Sequence, residues 1–221
     1  MKMKSFVPVL AGLVLVVSGC KNMNKSQKGV IIGAGAGGAV GAAIGKAAGN
    51  TALGAIIGAA VGGVAGGIIG RQMDKQAEEI AQIPGAEVKR VGEGINVTFD
   101  TGVLFGYDRD DLTADARKKL SDLSEILNKY PDTYVLVEGH TDATGTDTYN
   151  MDLSRRRASS VATYLKTEDI KSQRILTKWY GEQQPKYSND SEEDRAKNRR
   201  VEFAIYANEK MINDAKKQAN N

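Results

Sequence analysis

The C-terminal half of the chain switches between the hydrophobic spacing of strands and that of helices. Four short apolar runs predict strands: 95–99, 134–138, 175–180 and 199–206. Two longer runs carry apolar residues at helical spacing, one after Thr113 as N-cap and ending before Pro131, the other over 148–165. The order strand–helix–strand–helix–strand–strand predicts an α/β sandwich with its helices on one face of the sheet, and about 115 residues suffice for one core.

A different pattern fills residues 29–70, which hold 15 of the 25 glycines and a single charge, Lys46. Glycine recurs every fourth residue from 29 to 49 and, after a slip at Asn50–Thr51, from 54 to 70. Each glycine costs an isolated helix in water about 1 kcal/mol relative to alanine, so the stripe needs a closely packed partner. The pattern predicts a helical glycine-zipper hairpin over 29–70. The alternative is a flexible spacer, which the abundant Ile and Val disfavour.

Two polar segments flank the predicted C-terminal domain, which covers residues 95–207. Residues 71–94 are mixed in character, contain Pro84–Gly85 and are predicted to be a linker with a short helix near 73–82. Residues 208–221 carry few large apolar side chains and are predicted to be a polar C-terminal tail.

The first 20 residues have the charge and hydrophobicity of a secretory signal. Lys2 and Lys4 precede an apolar run, and Val17-Ser-Gly-Cys20 ends it with small residues, which predicts a signal peptide over 1–19. The ending resembles the bacterial lipobox, which implies diacylglycerol on Cys20 and an acylated N-terminus and short linker over 20–28. By resemblance to lipoprotein sorting signals, Lys21 favours the outer membrane. The alternative is an ordinary signal peptide with an incidental cysteine.

Charge and reactive residues argue against several function classes. The net charge is +3, and no long basic run suggests nucleic acid as a partner. His140 is the only histidine, so no histidine-based metal cluster is possible. Cys20, the only cysteine, belongs to the lipobox-like ending, and no Ser-His-Asp set with a supporting partner can be nominated. We therefore expect no cofactor, no metal and no enzymatic activity, with a carboxylate-only glycosidase as the remaining catalytic alternative.

The C-terminal half also resembles the OmpA-like domain over about residues 95–207. The resemblance rests on many motif positions whose spacing is intact: Glu138–Asp142, Gly145, Tyr149–Asn150, Leu153–Ser154, Arg156–Ala158, Val161, Tyr180–Glu182, Pro185, Asn189 and Asn198–Glu202, with Phe105, Asp108 and Leu112 in an upstream loop. Each position alone has an ordinary structural explanation, such as a turn for Asp142. Their joint spacing carries the resemblance.

The resemblance implies recognition of the peptidoglycan stem peptide through the free end of its diaminopimelate residue. That end carries an ammonium and a carboxylate on one carbon. Asp142 matches the family's ammonium-binding carboxylate, and Arg157 matches its carboxylate-binding guanidinium, which suits a bidentate contact. Five further residues match pocket positions: Thr141, Asn150, Leu153, Arg199 and Asp108.

These features together predict an outer-membrane lipoprotein that tethers the membrane to the cell wall, with its C-terminal domain in the periplasm. The expected partners are diaminopimelate-type peptidoglycan, outer-membrane lipid and further copies of the chain through Gly29–Gly70. One alternative is a glycine-zipper oligomer or pore that the wall-binding domain only localises. Another is a motor stator component, which the lack of a long uninterrupted N-terminal membrane helix with a functional carboxylate disfavours.

Overall fold

Five strands form one mixed sheet in the part of the chain that a computed structural model describes, residues 54–56, 59–106 and 108–221. Across the sheet the order is β1-β2-β5-β3-β4. Only β3 and β4 are parallel neighbours, and the other neighbouring pairs are antiparallel. The strand bounds are Glu87–Val91 for β1, Gly94–Asp100 for β2, Thr133–Gly139 for β3, Ile175–Trp179 for β4 and Arg200–Ala207 for β5.

Six helices accompany the sheet in the described residues. Their bounds are Gly63–Ile80 for α1, Thr101–Leu104 for the short α2, Ala114–Lys129 for α3, Asp147–Thr167 for α4, Glu192–Asn198 for α5 and Glu209–Ala219 for α6. A 3-10 turn over Ser172–Arg174 precedes β4. As predicted, the Thr113 hydroxyl caps α3, accepting a hydrogen bond from the Ala116 N–H at 3.0 Å.

The predicted α/β architecture is confirmed. All four predicted strands and both predicted helices are present in the predicted order, with bounds shifted by no more than about two residues, as is usual at element ends. The inward residues of β2, β3 and β5 join those of five helices in one apolar core: Ile95, Val97, Phe99, Val135, Val137, Val201, Phe203 and Ile205 from the strands, with partners from α1, α2, α3, α4 and α6.

The segments predicted as linker and tail are wrong in part, because both contribute to this fold. Residues 71–94 contain the second half of α1 and all of β1, an edge strand paired with β2. Residues 208–221 form α6, which packs against α1 and buries Met211 and Ala215. Only Met211 and Ala215 of α6 are fully buried, with Ile212 and Ala219 partly buried beside them, and polar residues make up the rest of the segment, which is why the sequence alone suggests a polar tail.

Helix α1 carries the last glycines of the predicted zipper into the domain. A side chain at Gly66 would collide with the carboxylate of Glu93, which accepts hydrogen bonds from the N–H groups of Val61 and Gly62 at 2.6 and 2.7 Å. At Gly66 the missing side chain therefore leaves room for Glu93 of the β1–β2 turn, and among the residues that the structure describes no second glycine-rich helix packs there. The run 29–49, the bend at Asn50–Thr51, Cys20 and the signal peptide lie outside the described residues.

The opposite face of the sheet holds a smaller apolar cluster. Ile56 from the zipper region is buried there against Leu136, Ala204 and Tyr206. None of the helices in the described ranges is both long enough and apolar enough to span a membrane.

Candidate functional site

A pocket of about 920 Å³ opens beyond the carboxyl end of β3, between the first half of α4, the loop before α3 and helix α5. It contains every pocket residue that the sequence predicted. The seven lining residues in question are Asp108, Thr141, Asp142, Asn150, Leu153, Arg157 and Arg199. Residues up to 91 positions apart in the chain, from Asp108 to Arg199, thus meet at one cavity.

Close packing of β3 on α4 brings these residues together. Gly139 ends β3 so near the backbone of Ser154 that a Cβ atom at this position would collide with the Ser154 carbonyl oxygen. Beyond it, the Thr141 N–H donates to the carbonyl of Gly181 at 2.9 Å, which positions the loop leading to Asp142. The Thr146 hydroxyl then caps α4, accepting from the Tyr149 N–H at 3.3 Å.

Asp142 is the buried anion of the pocket, with 6% of its surface exposed. One carboxylate oxygen accepts from the Thr144 N–H at 2.9 Å, and the other pairs with the Arg199 guanidinium at 2.5 Å. Arg199 also pairs with Glu192 at 2.6 Å. Burial lowers the pKa of Arg199, but the hydrogen bonds to these two carboxylates outweigh it and the net shift is upward. In this state Arg199 neutralises Asp142.

Arg157 is the buried cation, with 3% of its surface exposed. Its Nε donates to the carbonyl of Arg109 at 3.0 Å, and its guanidinium carbon lies 5.5 Å from the centre of the Phe105 ring. Burial lowers the pKa of Arg157, while the charge of Asp108 opposes that shift. Among the described residues, its two terminal nitrogens have no hydrogen-bond partner and no ion pair joins Arg157 to Asp142.

Asn150 and Asp108 are both at the pocket wall but are already engaged. The Asn150 amide nitrogen donates to the carbonyls of Asp142 and Thr144 at 3.3 and 3.1 Å and to the carboxylate of Glu182, so it holds the loop in place. Asp108 adopts a left-handed backbone with φ of 55° and accepts a short hydrogen bond from the Tyr149 hydroxyl.

Two hydroxyl groups in the pocket lining have no hydrogen-bond partner in the described structure. They are Oγ1 of Thr141 and Oγ1 of Thr101, and both residues are buried. Buried polar groups in folded proteins are usually paired. These two hydroxyls and the terminal nitrogens of Arg157 therefore constitute an unused set of hydrogen-bonding groups around one cavity.

Comparison with known proteins gives this architecture a family. The model of the OmpA family matches residues 104–199, and that of the YMGG-like Gly-zipper matches residues 1–74. The peptidoglycan-associated lipoprotein of Haemophilus influenzae is 38% identical over 102 residues, which cover 46% of this chain and 67% of the relative. The chain belongs to the OmpA family.

A second relative and a solved structure match a similar length of this chain. The probable lipoprotein YiaD of Escherichia coli is 37% identical over 121 residues, 55% of each chain. The solved structure of the cell wall anchor of the T6SS from Pseudomonas aeruginosa superposes with a TM-score of 0.55 at 27% identity, covering 61% of this chain and 96% of that one. The chain spans between 34% and 59% of the length of the first curated relatives that it matches.

The structure adds pocket residues to those that the OmpA-like motifs predicted. Thr101 and Glu192 line the cavity, and Phe105 and Tyr149, known from the sequence only as motif positions, contact Arg157 and Asp108 respectively. Glu192 lies in a charged helix, α5, where nothing in the local pattern distinguishes it from Glu193. Only its pairing with Arg199 places it at the pocket.

Proposed function

We propose that this chain is an envelope protein that binds peptidoglycan non-covalently through the pocket of Asp142 and Arg157 and tethers the outer membrane to the cell wall. Membership of the OmpA family and the names of the relatives, peptidoglycan-associated lipoprotein and cell wall anchor, support the wall as partner. The observation that carries the proposal is the pairing pattern of the pocket. Its buried cation has donors without a partner among the described residues, and its buried anion lies in the same cavity without contacting that cation.

The ligand that fits this pattern is the zwitterionic end of diaminopimelate. Its carboxylate would accept two hydrogen bonds from the terminal nitrogens of Arg157, a geometry for which the guanidinium fork is suited. The cost of burying Arg157 is then offset when the ligand supplies a counter-charge. The Phe105 ring and the Arg109 carbonyl hold the guanidinium in position beforehand, so little side-chain entropy remains to be lost.

The ammonium group would be bound by Asp142, which it must share with Arg199. Because Arg199 has a second carboxylate partner in Glu192, it can turn toward Glu192 as the ammonium arrives, and neither charge is left unpaired. Thr141 and Thr101 then offer hydroxyl groups to the stem-peptide backbone. In this account Asn150 positions the Asp142 loop, and its carbonyl oxygen is the only side-chain atom left for the ligand.

The membrane end of the tether rests on Cys20. The Val17-Ser-Gly-Cys20 ending supports lipid attachment at that residue, and two or three acyl chains would anchor the chain firmly, whereas one would not. Mass spectrometry of the mature N-terminal peptide tests this part. An unmodified Cys20 in membrane-bound protein would refute it.

The pocket is tested by wall-binding measurements on full-length variants. Asp142→Asn and Arg157→Ala should each weaken binding to purified diaminopimelate-type peptidoglycan by about ten- to a hundredfold, since a charge-assisted contact contributes about 1.5–3 kcal/mol. Arg157→Lys should rescue only part of the loss, because lysine lacks the bidentate fork. Arg156→Ala is the matched control, since Arg156 pairs with Asp152 and Asp110 on the surface of α4.

The chemistry of the wall provides the second arm of the test. Walls with lysine in place of diaminopimelate lack the second carboxylate and would leave Arg157 unpaired, so they should bind more weakly by a similar factor. Equal binding to both walls, or normal binding by Arg157→Ala, would contradict the proposed ligand.

A further inference from the structure

A second depression lies on the side of α4 that faces away from the pocket. It is a groove of about 400 Å³, here called the Trp179 groove, and its main lining residues are Thr148, Met151, Asp152, Arg155, Trp179 and Gln183. On a helix with 3.6 residues per turn, positions 148, 151 and 155 share one face, and the pocket positions 150, 153 and 157 share the opposite one. The two cavities are thus separated by the width of one helix.

Trp179 is the unusual member of this groove. It is the only tryptophan in the chain, it is the last residue of the edge strand β4, and 39% of its surface is exposed. Tryptophan side chains are highly buried on average, and exposed ones at the surface often mark binding sites. Because it ends a strand, its backbone is held rigidly, so the indole offers a flat apolar surface at low entropic cost.

The groups around the indole are polar and include two carboxylates. Asp147, Thr148 and Gln183 carry side-chain groups without a hydrogen-bond partner in the described part of the chain, whereas Asp152 pairs with Arg155 at 2.6 Å and also with Arg156, which lies outside the groove. One guanidinium balanced by two carboxylates disfavours an anionic ligand such as a phosphate. An aromatic face bordered by hydroxyl, amide and carboxylate groups suits a neutral ring whose faces are apolar and whose edge carries hydroxyl groups.

We propose that the Trp179 groove binds a hexosamine ring of the peptidoglycan glycan strand, with one ring face packed on the indole and its hydroxyl and acetamido groups bonded by Gln183, Thr148 and Asp147. This inference rests on the proposed function, since it makes the groove a subsite for the sugar that carries the stem peptide. One wall fragment would thereby contact both sides of α4.

The dimensions of the ligand fit this arrangement. Two amino acids, a lactyl ether and the side chain of diaminopimelate separate its free end from the sugar, a reach of about 14 Å when each of the four units extends about 3.5 Å. An α-helix with its side chains is about 10–12 Å across. A fragment that crosses the N-terminal end of α4 can therefore place its peptide in the pocket and its sugar in the groove.

The single tryptophan makes the test direct, because emission excited beyond the absorption of the eight tyrosines comes from Trp179 and reports on this groove. The protein is kept in a detergent without a sugar head group and titrated with a disaccharide–peptide from diaminopimelate wall and with the same peptide lacking sugar. We expect the disaccharide–peptide to bind roughly tenfold more tightly and to change the tryptophan emission. The bare peptide should bind without changing the emission.

Variants measured by calorimetry give the second readout. Trp179→Ala should abolish the roughly tenfold advantage of the disaccharide–peptide while leaving the affinity for the bare peptide unchanged, and Trp179→Tyr should retain most of the advantage. Tyr187→Ala is the matched control, because Tyr187 is also 39% exposed but lies outside both cavities.

The outcomes separate the two proposals. If both ligands bind equally well and Trp179→Ala has no effect, the groove is not a sugar subsite and the pocket proposal stands. Binding of neither ligand to the unaltered protein would overturn both proposals together.

Discussion

Arg199 and Arg200 are neighbours in the chain but belong to two different kinds of charge cluster. Successive side chains at a strand point to opposite sides, so the two guanidinium groups diverge where β5 begins. Arg199 faces the pocket, with its side chain 30% exposed, and pairs with Asp142 and Glu192. Arg200 is buried beside the sheet, pairs with the fully buried Glu202 at 2.6 Å and donates to the carbonyls of Asn198 and Gln184.

The clusters differ in how completely their groups are paired. Glu202 also accepts from the Asn96 amide at 3.0 Å, and although burial raises its pKa, the charge of Arg200 and its neighbours brings the pKa down to about 2. In the pocket, by contrast, the Thr141 hydroxyl has no partner among the described residues, and of the Arg157 nitrogens only Nε has one there. A closed set of pairs stabilises a fold, whereas an open set of the same groups is available to a ligand.

The largest expected effect distinguishes the two arginines by stability. Arg200→Met should lower the free energy of unfolding by about 3 kcal/mol, because it leaves the buried Glu202 carboxylate with only the more distant Lys186 ammonium, at 3.9 Å, as counter-charge. Arg199→Met should cost less, about 1–2 kcal/mol, because Asp142 loses its counter-charge but keeps the hydrogen bond from the Thr144 N–H and borders an open pocket, while Glu192 is exposed. Urea unfolding of both full-length variants measures the difference.

A double variant controls for lost packing volume. Arg200→Met with Glu202→Leu should recover most of the stability lost in Arg200→Met, because no unpaired charge then remains buried. Equal losses in Arg199→Met and Arg200→Met would remove the distinction between a closed and an open cluster.

His140, the chain's only histidine, lies near Arg200 and Glu202 and should make the stability of the fold depend on pH. Burial, assisted by the charge of Arg200, lowers the pKa of His140 to about 3, and the ring stacks on Tyr180 at 5.4 Å. The unfolded chain therefore takes up a proton near pH 6.5 that the folded chain does not, so stability falls as the pH falls between 6.5 and 3. We expect a loss of about 2 kcal/mol from pH 7 to pH 5.

The matched variant is His140→Phe, which keeps an aromatic ring in the stack but cannot bind a proton. Its unfolding free energy should change little between pH 7 and pH 5, where carboxylates contribute less than they do near pH 4. A pH dependence identical to that of the unaltered protein would show that other groups cause it.

The smallest expected effect is the difference in stability between variants of two buried threonines. The hydroxyl of Thr133 is hydrogen-bonded, and that of Thr141 has no partner among the described residues. The Thr133 hydroxyl donates to the carbonyl of Tyr130 at 3.1 Å and accepts from Arg174 at 3.0 Å, so Thr133→Val should cost about 1–2 kcal/mol of stability. Thr141→Val removes a hydroxyl that has no partner among the described residues, and it should change stability by less than about 0.5 kcal/mol. Thermal unfolding measures both.

Wall binding should show the reverse order for the same pair. Thr141→Val should weaken peptidoglycan binding severalfold, because a hydrogen bond to the ligand contributes about 0.5–1.5 kcal/mol. Thr133→Val should leave binding of the folded protein unchanged, since Thr133 lies at the start of β3, far along the strand from the pocket. Unchanged binding by Thr141→Val would remove that hydroxyl from the site.

Local patterns in the sequence determined the central strands and the two long helices. Apolar residues repeat there with the period of the element itself, as in Leu120, Leu123 and Leu127 of α3, so each element can be recognised without its neighbours. The motif spacing also predicted which residues line one cavity, because six of the seven positions follow β3, lie on one face of α4 or flank β5, and the seventh, Asp108, lies in the loop before α3.

Tertiary structure alone decided what those residues do with one another. The sequence does not show that Arg199 pairs with Asp142, that Asn150 holds the loop, or that Glu192 belongs to the pocket, because each contact joins separate elements. It also does not show that residues 208–221 form a helix that buries Met211 and Ala215, or that Gly66 leaves room for the Glu93 side chain. Periodicity describes one element at a time, whereas burial and pairing depend on the surface that another element presents.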